Sequence, residues 1–253
     1  LRAAIATLYA HQEVENVIVT HGAIGANMLV HKTLVETGDR VISVVPTYQQ
    51  HYSIPASIGA DVHHLQLREE NGFLPDLEEL RALALPGTRL IAINNPNNPT
   101  GSLMNEAVLQ DIVEIARPIG AWILCDEVYR GTNQVGSGMT VSIADIYEKG
   151  ISTASVSKAF SLAGLRLGWI AAAQELIEKV SRHRDYDTIS IGIIDDHFAT
   201  MALENKQRVL ERSQSITRNN LKVLEAWVDA QPRISWAKPR SGTTALLKYD
   251  LPM

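Results

Sequence analysis

The sequence has 253 residues, of which 45% are hydrophobic and 20% charged, as is typical of a globular protein with a substantial core. The formal net charge of −5 argues against general binding to nucleic acid and against attraction to anionic membranes. The single cysteine, Cys125, excludes a disulfide within the chain and is typical of a reducing compartment, so we expect a cytoplasmic protein. No apolar run reaches the length of a membrane span.

Both ends of the sequence indicate that the protein has further segments before and after it. The first residues, LRAAIATLYAHQ, have no initiator methionine and indicate the interior of an amphipathic helix. The last residues, TTALLKYDLPM, stop soon after a strand-like run. We therefore expect the protein to continue beyond both ends.

Short β-rich runs alternate with helical patterns along most of the chain. One helix is expected over 23–36, before Gly38, and another between a capping Asn105 and the Pro–Ile–Gly stop at 118–120. Strands that are apolar throughout and separated by helices predict an α/β fold, with a mostly parallel sheet covered by helices on both faces. The predicted strands are 16–20, 40–45, 62–67, 89–94, 121–126, 150–155 and 167–172.

The character of the sequence changes after these strands. A helical period persists over 196–230, which is too long for a crossover and indicates one or two helices that leave the sheet. The segment 234–250 then predicts a strand pair with a glycine turn. We expect a large domain over 1–203, and an interdomain helix with the start of a smaller α+β domain over 204–253.

Polar residues collect where predicted strands end. The segment AINNPNNPTGSL, 92–103, follows one strand, and a tight turn is its simplest interpretation, although it also clusters amide groups. Ligands of open α/β sheets bind outside the carboxyl ends of the strands. Asp126 ends another apolar strand, where a carboxylate is costly unless it is paired. It is either a helix cap or an acceptor for a cationic ligand atom.

The segment SVSKAFSLAGLRLGW, 155–169, places one lysine and one arginine among small residues. Taken alone, Lys158 is a solvated surface residue, but a desolvated lysine amine is a nucleophile able to form a Schiff base. Arg166 has a planar donor fork suited to phosphate or carboxylate. The segment VTHGAIGANML, 19–29, places small residues at a strand-to-helix junction, where backbone N–H groups can bind an anion.

Three segments in this order resemble the class I/II aminotransferase family of fold-type I pyridoxal-phosphate enzymes. NNPNNPTG is similar to that family's Asn–Pro–x–Asn–Pro–Thr–Gly turn, and DEVY to its Asp–Glu–x–Tyr strand end. SVSKAFSLAGLRLGW is similar to its Ser–x–Ser–Lys segment with Gly–x–Arg–x–Gly. The similarity extends over nearly the whole chain, and joint matches in order are far more specific than any one of them.

The resemblance implies a role for each matching residue around pyridoxal 5′-phosphate. Lys158 would form the Schiff base with the cofactor and move the proton between the substrate and the cofactor. Asp126 would pair with the pyridine nitrogen, which keeps the ring an electron sink. Asn98 and Tyr129 would hydrogen-bond the ring hydroxyl oxygen, and Tyr48 would stack on the ring face.

The resemblance also implies a phosphate site at the junction of strand and helix. Backbone N–H groups would bind the phosphate together with hydroxyl and guanidinium side chains. The side chain of Ile24 should add nothing, because many relatives place a polar residue there. The expected phosphate ligands are the backbone of Gly22, Ala23 and Ile24 and the side chains of Ser155, Ser157 and Arg166.

Several nearby polar residues are assigned to the scaffold instead. Asn95, Asn97 and Glu127 are more typical of structural support than of chemistry. Cys125 precedes Asp126 on a strand and should point to the opposite side, into the core. The histidines show no metal-binding spacing, and His21 and His51 are at most neighbours of the site.

The resemblance implies parts that this sequence does not contain. The family's arginine for the substrate carboxylate lies beyond residue 253, and a tyrosine that reaches the partner subunit's phosphate lies before Leu1. Because active sites of the family lie at a subunit interface, we expect a homodimer with a shared site. The substrates would be an amino acid and a 2-oxo acid, exchanged through a pyridoxamine-phosphate intermediate.

Other outcomes of the same chemistry stay open. The set of residues also serves a C–S lyase or an amino-acid cyclase of the capreomycidine-synthase kind, since the cofactor does the difficult chemistry. A non-catalytic regulatory domain is a further alternative, as is a truncated inactive relative. Nothing in the sequence predicts which amino acid is the substrate.

Overall fold

A computed structural model describes residues 1–250 and contains a large sheet with helices on both faces. Its strands are β1 Val17–His21, β2 Arg40–Val45, β3 Asp61–Gln66, β4 Thr88–Asn94, β5 Trp122–Asp126, β6 Gly150–Ser155, β7 Leu167–Ala171, β8 Ile234–Ser235 and β9 Lys248–Tyr249. Its helices are α1 Arg2–Ala6, α2 Gly22–Leu34, α3 Gln50–Ile58, α4 Leu77–Leu83, α5 Glu106–Ile119, α6 Ile143–Ile146, α7 Gln174–Arg184, α8 Ile193–Glu204 and α9 Lys206–Asp229. Short 3₁₀ helices cover Val14–Asn16, Glu69–Asn71 and Ala163–Leu165.

The seven longer strands form one sheet in the order β1-β7-β6-β5-β4-β2-β3. The pairs among β3, β2, β4, β5 and β6 are parallel, whereas β7 is antiparallel to both of its neighbours. The predicted α/β class and mostly parallel sheet are confirmed, and each of the seven strands lies within one residue of its predicted bounds. The sequence does not predict the antiparallel direction of β7, because the apolar pattern of a strand buried on both faces is the same for a parallel and an antiparallel strand.

Three hydrophobic clusters fill the two faces of the sheet. On one face, α2 and α7 pack on the central strands through residues such as Leu29, Val30 and Leu176. On the other face, α4 and α5 cover one half of the sheet, and α1 with parts of α8 and α9 covers the other half. Buried apolar strands are stable only when both faces are covered in this way, and the carboxyl ends of the strands stay accessible between the layers.

The two helices predicted in detail form close to their expected bounds. The side chain of Asn105 caps α5 by accepting a hydrogen bond from the Val108 N–H, at 3.0 Å. Gly120 ends that helix in the left-handed conformation. The helix predicted over 23–36 is α2, which begins one residue earlier and ends at Leu34. Local sequence therefore sets both helix ends well.

The amphipathic helix predicted at the start of the chain is wrong in extent. Only Arg2–Ala6 is helical, and the chain then turns at Leu8 and Tyr9. The cause is the phenol of Tyr9, which is held inside the protein by Ser152 at 2.9 Å and by the indole N–H of Trp169 at 2.8 Å. This tertiary contact outweighs the helical period of the sequence.

The long helical pattern forms two helices, α8 and α9, which meet at Asn205. The expectation that this region leaves the sheet is wrong for α8, because Ala199 and Leu203 pack in the core cluster beside the sheet. The predicted boundary between 1–203 and 204–253 stays a prediction, and residues 251–253 of the second unit lie outside the described residues.

The predicted strand pair over 234–250 is confirmed in its pairing but is much shorter than expected. Only two residues of each strand pair, Ile234–Ser235 with Lys248–Tyr249. The intervening chain instead binds the large sheet unit: the N–H groups of Arg240 and Ser241 both donate to the Gly101 carbonyl, at 2.8 and 3.0 Å. These bonds satisfy the backbone groups that a longer hairpin would have paired.

A close backbone contact joins β7 to the start of α2. Gly168 pairs with Thr20 on one side and with Ser155 on the other. A Cβ atom at position 168 would lie 2.3 Å from the Gly22 carbonyl carbon and 2.6 Å from the Ala23 nitrogen. Glycine at 168 therefore permits the helix start to lie directly against the sheet.

Candidate active site

A cavity of about 250 Å³ opens between the carboxyl ends of the strands and the start of α2. The sheet register brings two of its polar residues together, because Asn94 and Asp126 are paired neighbours on β4 and β5. All the predicted site residues except Gly22 line the cavity, and Gly22 lies under the Arg166 guanidinium. The lining residues are Ala23, Ile24, Asn27, Tyr48, Asn94, Asn98, Asp126, Val128, Tyr129, Ser155, Ser157, Lys158, Ala163 and Arg166.

One end of the cavity is suited to an anion. The first N–H groups of α2, from Gly22 onward, have no partners within the helix and carry the positive end of its dipole. Arg166 crosses this helix start, since a Cβ atom on Gly22 would lie 2.8 Å from Nη2 of the guanidinium. Arg166 also donates to the Ala163 carbonyl at 3.0 Å, which fixes its side chain. Backbone and guanidinium donors thus converge on one point.

Two serines lie beside this anion-binding end. Ser155 is the last residue of β6 and is buried, and its hydroxyl accepts from the Ser157 N–H at 3.2 Å. The Ser157 hydroxyl is 3.4 Å from Arg166 Nη1. Both hydroxyl groups therefore lie within the same polar cluster as the guanidinium.

The other end of the cavity carries a buried carboxylate. Asp126 is only 3% exposed, and its Oδ1 accepts from the Val128 N–H at 3.1 Å. Its Oδ2 accepts from the Asn27 amide at 2.9 Å, and His51 Nε2 lies 3.6 Å from the same oxygen. A carboxylate in such a place is suited to pair with a cationic atom of a ligand.

Lys158 lies on the wall of the same cavity. It follows β6 in a turn, and its Nζ lies 5.8 Å from the centre of the Tyr129 ring. Burial is the main cause that raises the pKa of Tyr129; a hydrogen bond with Thr243 opposes this rise, and the charge of Asp126 adds to it. The phenol therefore stays protonated and can donate to an oxygen atom of a ligand.

The asparagine-rich turn contributes some of its residues to the cavity wall and others to the scaffold. Asn94 bridges the turn to β5, because its amide donates to the Asp126 carbonyl at 2.7 Å and its oxygen accepts from the Asn98 N–H at 2.7 Å. That bond leaves the side chain of Asn98 available at the cavity wall. Asn95 bonds both backbone groups of Met104, and Asn97 donates to the Pro46 carbonyl.

The remaining predicted residues occupy the mouth of the cavity and the core. Tyr48 and Ile24 are partly exposed at the mouth. Cys125 packs in the core on the opposite side of β5, where burial raises the pKa of its thiol well above the usual value. Glu127 is buried and accepts hydrogen bonds from Ser142, Ser152 and the Ile143 N–H, as expected of a structural residue.

Sequence reasoning missed four residues of the cavity, Asn27, Asn94, Val128 and Ala163. The signal for Asn27 was present, since an amide on the buried face of an amphipathic helix needs a specific partner. His51 was only a candidate neighbour, and it lies fully buried beside Asp126. Its ring neighbour on α2, His31, lies with its ring centre 6.4 Å away, and burial lowers the pKa of His31 to about 3.

A second cavity, of about 290 Å³, meets the first at Lys158. Its wall is formed by α9 and by the segment that follows Pro239, including the hydroxyl groups of Ser213, Thr217 and Thr244. Lys158 is the one charged side chain among the residues that line it. In residues 1–250 no cluster of three or more histidine, cysteine or acidic side chains could hold a metal ion, and no helix there is long and apolar enough to cross a membrane.

Comparison with known proteins links this geometry to one family. The model of the family described as aminotransferase class I and II matches residues 1–246. Capreomycidine synthase of Streptomyces vinaceus is 30% identical over 250 residues, which are 98% of this chain and 64% of that protein. Aspartate aminotransferase of Pyrococcus horikoshii is 36% identical over 174 residues, 69% of this chain and 44% of that protein.

Solved structures agree with these matches. A PLP-dependent aminotransferase from Streptococcus suis superposes with a TM-score of 0.95 at 44% identity, over 100% of this chain and 67% of that one. The PLP-dependent cyclase OrfR superposes with a TM-score of 0.88 at 29% identity, over 95% of this chain and 63% of that one. The chain thus spans about half to two thirds of the length of these relatives.

Proposed function

The chain belongs to the aminotransferase class I and II family, and we propose that it is an aminotransferase acting on an amino acid and a 2-oxo acid. Enzymes of this family depend on pyridoxal 5′-phosphate. The observation that carries the proposal is the single cavity that joins an anion-binding helix start, a lysine and a buried carboxylate. A single buried cysteine supports a cytoplasmic location.

The residues of the cavity fit this cofactor by their chemistry. The N-terminus of α2 with Arg166 offers donors for a phosphate, and Asp126 offers a carboxylate for a protonated ring nitrogen. Lys158 lines the same cavity and offers an amine. The three groups match the three functional parts of pyridoxal 5′-phosphate: an anion, a basic ring nitrogen and an aldehyde.

Each residue then has a role in the reaction. When bound, the cofactor supplies an aldehyde that condenses with amines and a ring that withdraws electrons from the substrate α-carbon. Lys158 Nζ holds the cofactor and carries the proton taken from the α-carbon. The Asp126 carboxylate keeps a proton on the ring nitrogen. Asn98 and the Tyr129 O–H would donate to the ring oxygen, and Tyr48 would cover the ring face.

The residues at the anion-binding end of the cavity bind and orient the cofactor phosphate and take no part in proton transfer. Backbone N–H groups of Gly22, Ala23 and Ile24 act with the side chains around them. The Ile24 side chain adds no polar contact, as expected. The polar groups that complete this end are the Ser155 and Ser157 hydroxyls and the Arg166 guanidinium.

A cyclase is the second candidate function. The support for it is that capreomycidine synthase matches 98% of this chain, whereas the Pyrococcus aspartate aminotransferase matches 69%. The cyclase OrfR has nearly the same fold. A C–S lyase is a further candidate, because the same cofactor chemistry also serves elimination.

Single-turnover product analysis separates these functions. Purified holoprotein is mixed with one amino acid and no 2-oxo acid, across a panel that includes aspartate and arginine. We expect about one equivalent of 2-oxo acid per site, without ammonia, because a transaminase stops once its cofactor carries the amino group. Catalytic release of ammonia indicates a lyase, and a cyclic amino acid indicates a cyclase; either result contradicts the proposal.

We further propose that the protein forms a homodimer through residues 186–201, which run from just after α7 into α8. This region exposes a run of large apolar side chains that a monomer would leave in water. Tyr186 is 94% exposed and Ile193 is 84% exposed, and the others are Ile189, Ile194, Phe198 and Met201.

Sedimentation measurements test the homodimer. We expect a dimer at micromolar concentration and at least tenfold weaker association for Ile193→Asp, because burying an unpaired carboxylate is costly. Val135→Asp is the matched control, since Val135 is equally exposed but lies in the loop between β5 and α6, outside residues 186–201. A monomeric wild-type protein, or equal weakening by both variants, would contradict the proposed interface.

A further inference from the structure

Asn27 is a polar residue on the buried face of α2. Its neighbours on that face are apolar, including Ala26, Leu29 and Val30, which pack against the sheet. Asn27 itself is 1% exposed. A buried amide is costly unless its hydrogen bonds are satisfied, so the partners of Asn27 indicate why an amide lies there.

The amide of Asn27 has partners on both of its atoms. Its Oδ1 accepts from the Thr153 hydroxyl at 2.6 Å, and its Nδ2 donates to Asp126 Oδ2 at 2.9 Å. The Gln50 side-chain oxygen lies 3.3 Å from the same Nδ2. Because a carboxylate oxygen only accepts, the amide nitrogen must face Asp126, and the Thr153 hydroxyl then donates to the amide oxygen. One orientation of the amide satisfies all three partners.

The carboxylate of Asp126 is held from two directions. The Val128 N–H donates to one oxygen at 3.1 Å, and Asn27 donates to the other. His51 Nε2, at 3.6 Å, is beyond normal hydrogen-bonding distance from that second oxygen. Within residues 1–250, Asn27 therefore provides the side-chain hydrogen bond to this carboxylate.

We propose that Asn27 is a positioning residue that fixes the plane of the Asp126 carboxylate where it meets the cofactor ring nitrogen. Two donors on two different oxygens prevent rotation of the carboxylate, and a hydrogen bond to a carboxylate stabilises its charge. The inference rests on the proposed function, because it assigns the ring nitrogen as the ligand of Asp126.

The test compares three variants as purified full chains. Asn27→Leu keeps the side-chain volume and removes the donor, and Asn27→Ala removes the donor without adding apolar atoms. Thr153→Val is the matched control, because it removes the outer hydrogen bond and leaves the bond between Asn27 and Asp126. Each protein, freed of cofactor, is titrated with pyridoxal 5′-phosphate. The NMR signal of cofactor labelled at the ring nitrogen with the heavy isotope is recorded, and thermal unfolding of the cofactor-free form is measured.

We expect both Asn27 variants to raise the Kd for the cofactor about tenfold, which is the loss of one hydrogen bond to a charged group. The ring-nitrogen signal should move toward that of the unprotonated ring. Thr153→Val should change the Kd less than threefold and leave the signal in place. This pattern distinguishes positioning from a purely structural role, because a structural role changes unfolding without changing the ring signal.

Three other results would overturn the inference. A wild-type Kd and ring signal in both Asn27 variants would do so and leave the proposed function intact. Equal loss of unfolding temperature in all three variants, with the ring signal unchanged, would assign Asn27 to the scaffold. A wild-type protein that binds no pyridoxal 5′-phosphate would refute both the proposed function and the positioning role of Asn27.

Discussion

Replacing Lys158 by alanine is expected to abolish covalent retention of the cofactor and to lower turnover at least about 10⁴-fold. The expected loss is large because, under the proposed function, one amine serves both as the nucleophile and as the proton carrier, and proton transfer alone contributes about 10²- to 10⁴-fold. Borohydride reduction followed by peptide mass analysis measures the covalent link. Wild-type protein should yield a modified peptide that contains Lys158, and the variant should yield none.

Lys149→Ala is the matched control for this experiment. Lys149 lies immediately before β6, at the end of that strand opposite to Lys158. Its Nζ donates to the Gly120 carbonyl at 2.7 Å, and neither residue lines the cavity. Its removal should leave both the modified peptide and the turnover close to wild type. A Lys158→Ala protein that still gave a reducible adduct in the same cavity would refute the assignment of the lysine.

Replacing Asp126 by asparagine is expected to lower turnover about 10²- to 10³-fold, the range found when one electrostatic group is removed from an active site. The change conserves shape and removes the negative charge that pairs with the ring nitrogen. The new amide must also present a donor or an acceptor to Asn27, whose Nδ2 already donates at this point. Steady-state kinetics and the ring-nitrogen NMR signal measure the effect, and that signal should become that of the unprotonated ring.

Glu127→Gln is the matched control for Asp126→Asn, because it removes a buried carboxylate that belongs to the scaffold and not to the candidate site. The Glu127 carboxylate is buried and accepts three hydrogen bonds, and burial raises its pKa although Arg130 opposes this shift. We expect this variant to unfold at a lower temperature without a change in the ring-nitrogen signal. If Asp126→Asn left both turnover and ring signal unchanged, Asp126 would not be the partner of the ring.

Much of the fold could be predicted from local patterns. The strands from 40–45 to 167–172 were found because apolar β-branched runs ended at turn residues, and Asn105 and Gly120 marked the ends of α5. The sequence could not show that β7 is antiparallel or that the helix at the start stops at Ala6. Both depend on contacts between residues far apart in the chain, such as Tyr9 with Ser152.

The residues of the candidate site also differ in how far the sequence predicts them. Lys158, Asp126 and Arg166 could be predicted because their segments match a family in order and spacing. The helical pattern indicates a buried Asn27, but its partners could not be predicted, because they depend on the pairing of β5 with β6, which places Thr153 beside Asp126. Residues that touch the ligand carry a local signature in sequence, whereas residues that hold them in place are visible only in three dimensions.

The position of β7 determines when the site can form during synthesis. This strand lies between β1 and β6, and Asn16, just before β1, bonds Ala172, just after β7, across 156 residues of chain. Closing so long a loop is slow compared with local folding. A nascent chain that has emerged as far as Lys158 therefore carries the amine, the carboxylate and the start of α2, but it has no strand to hold β1 against β6. We therefore expect the junction of β1 with α2 to come to lie beside the end of β6 only after β7 has left the ribosome and inserted between these two strands.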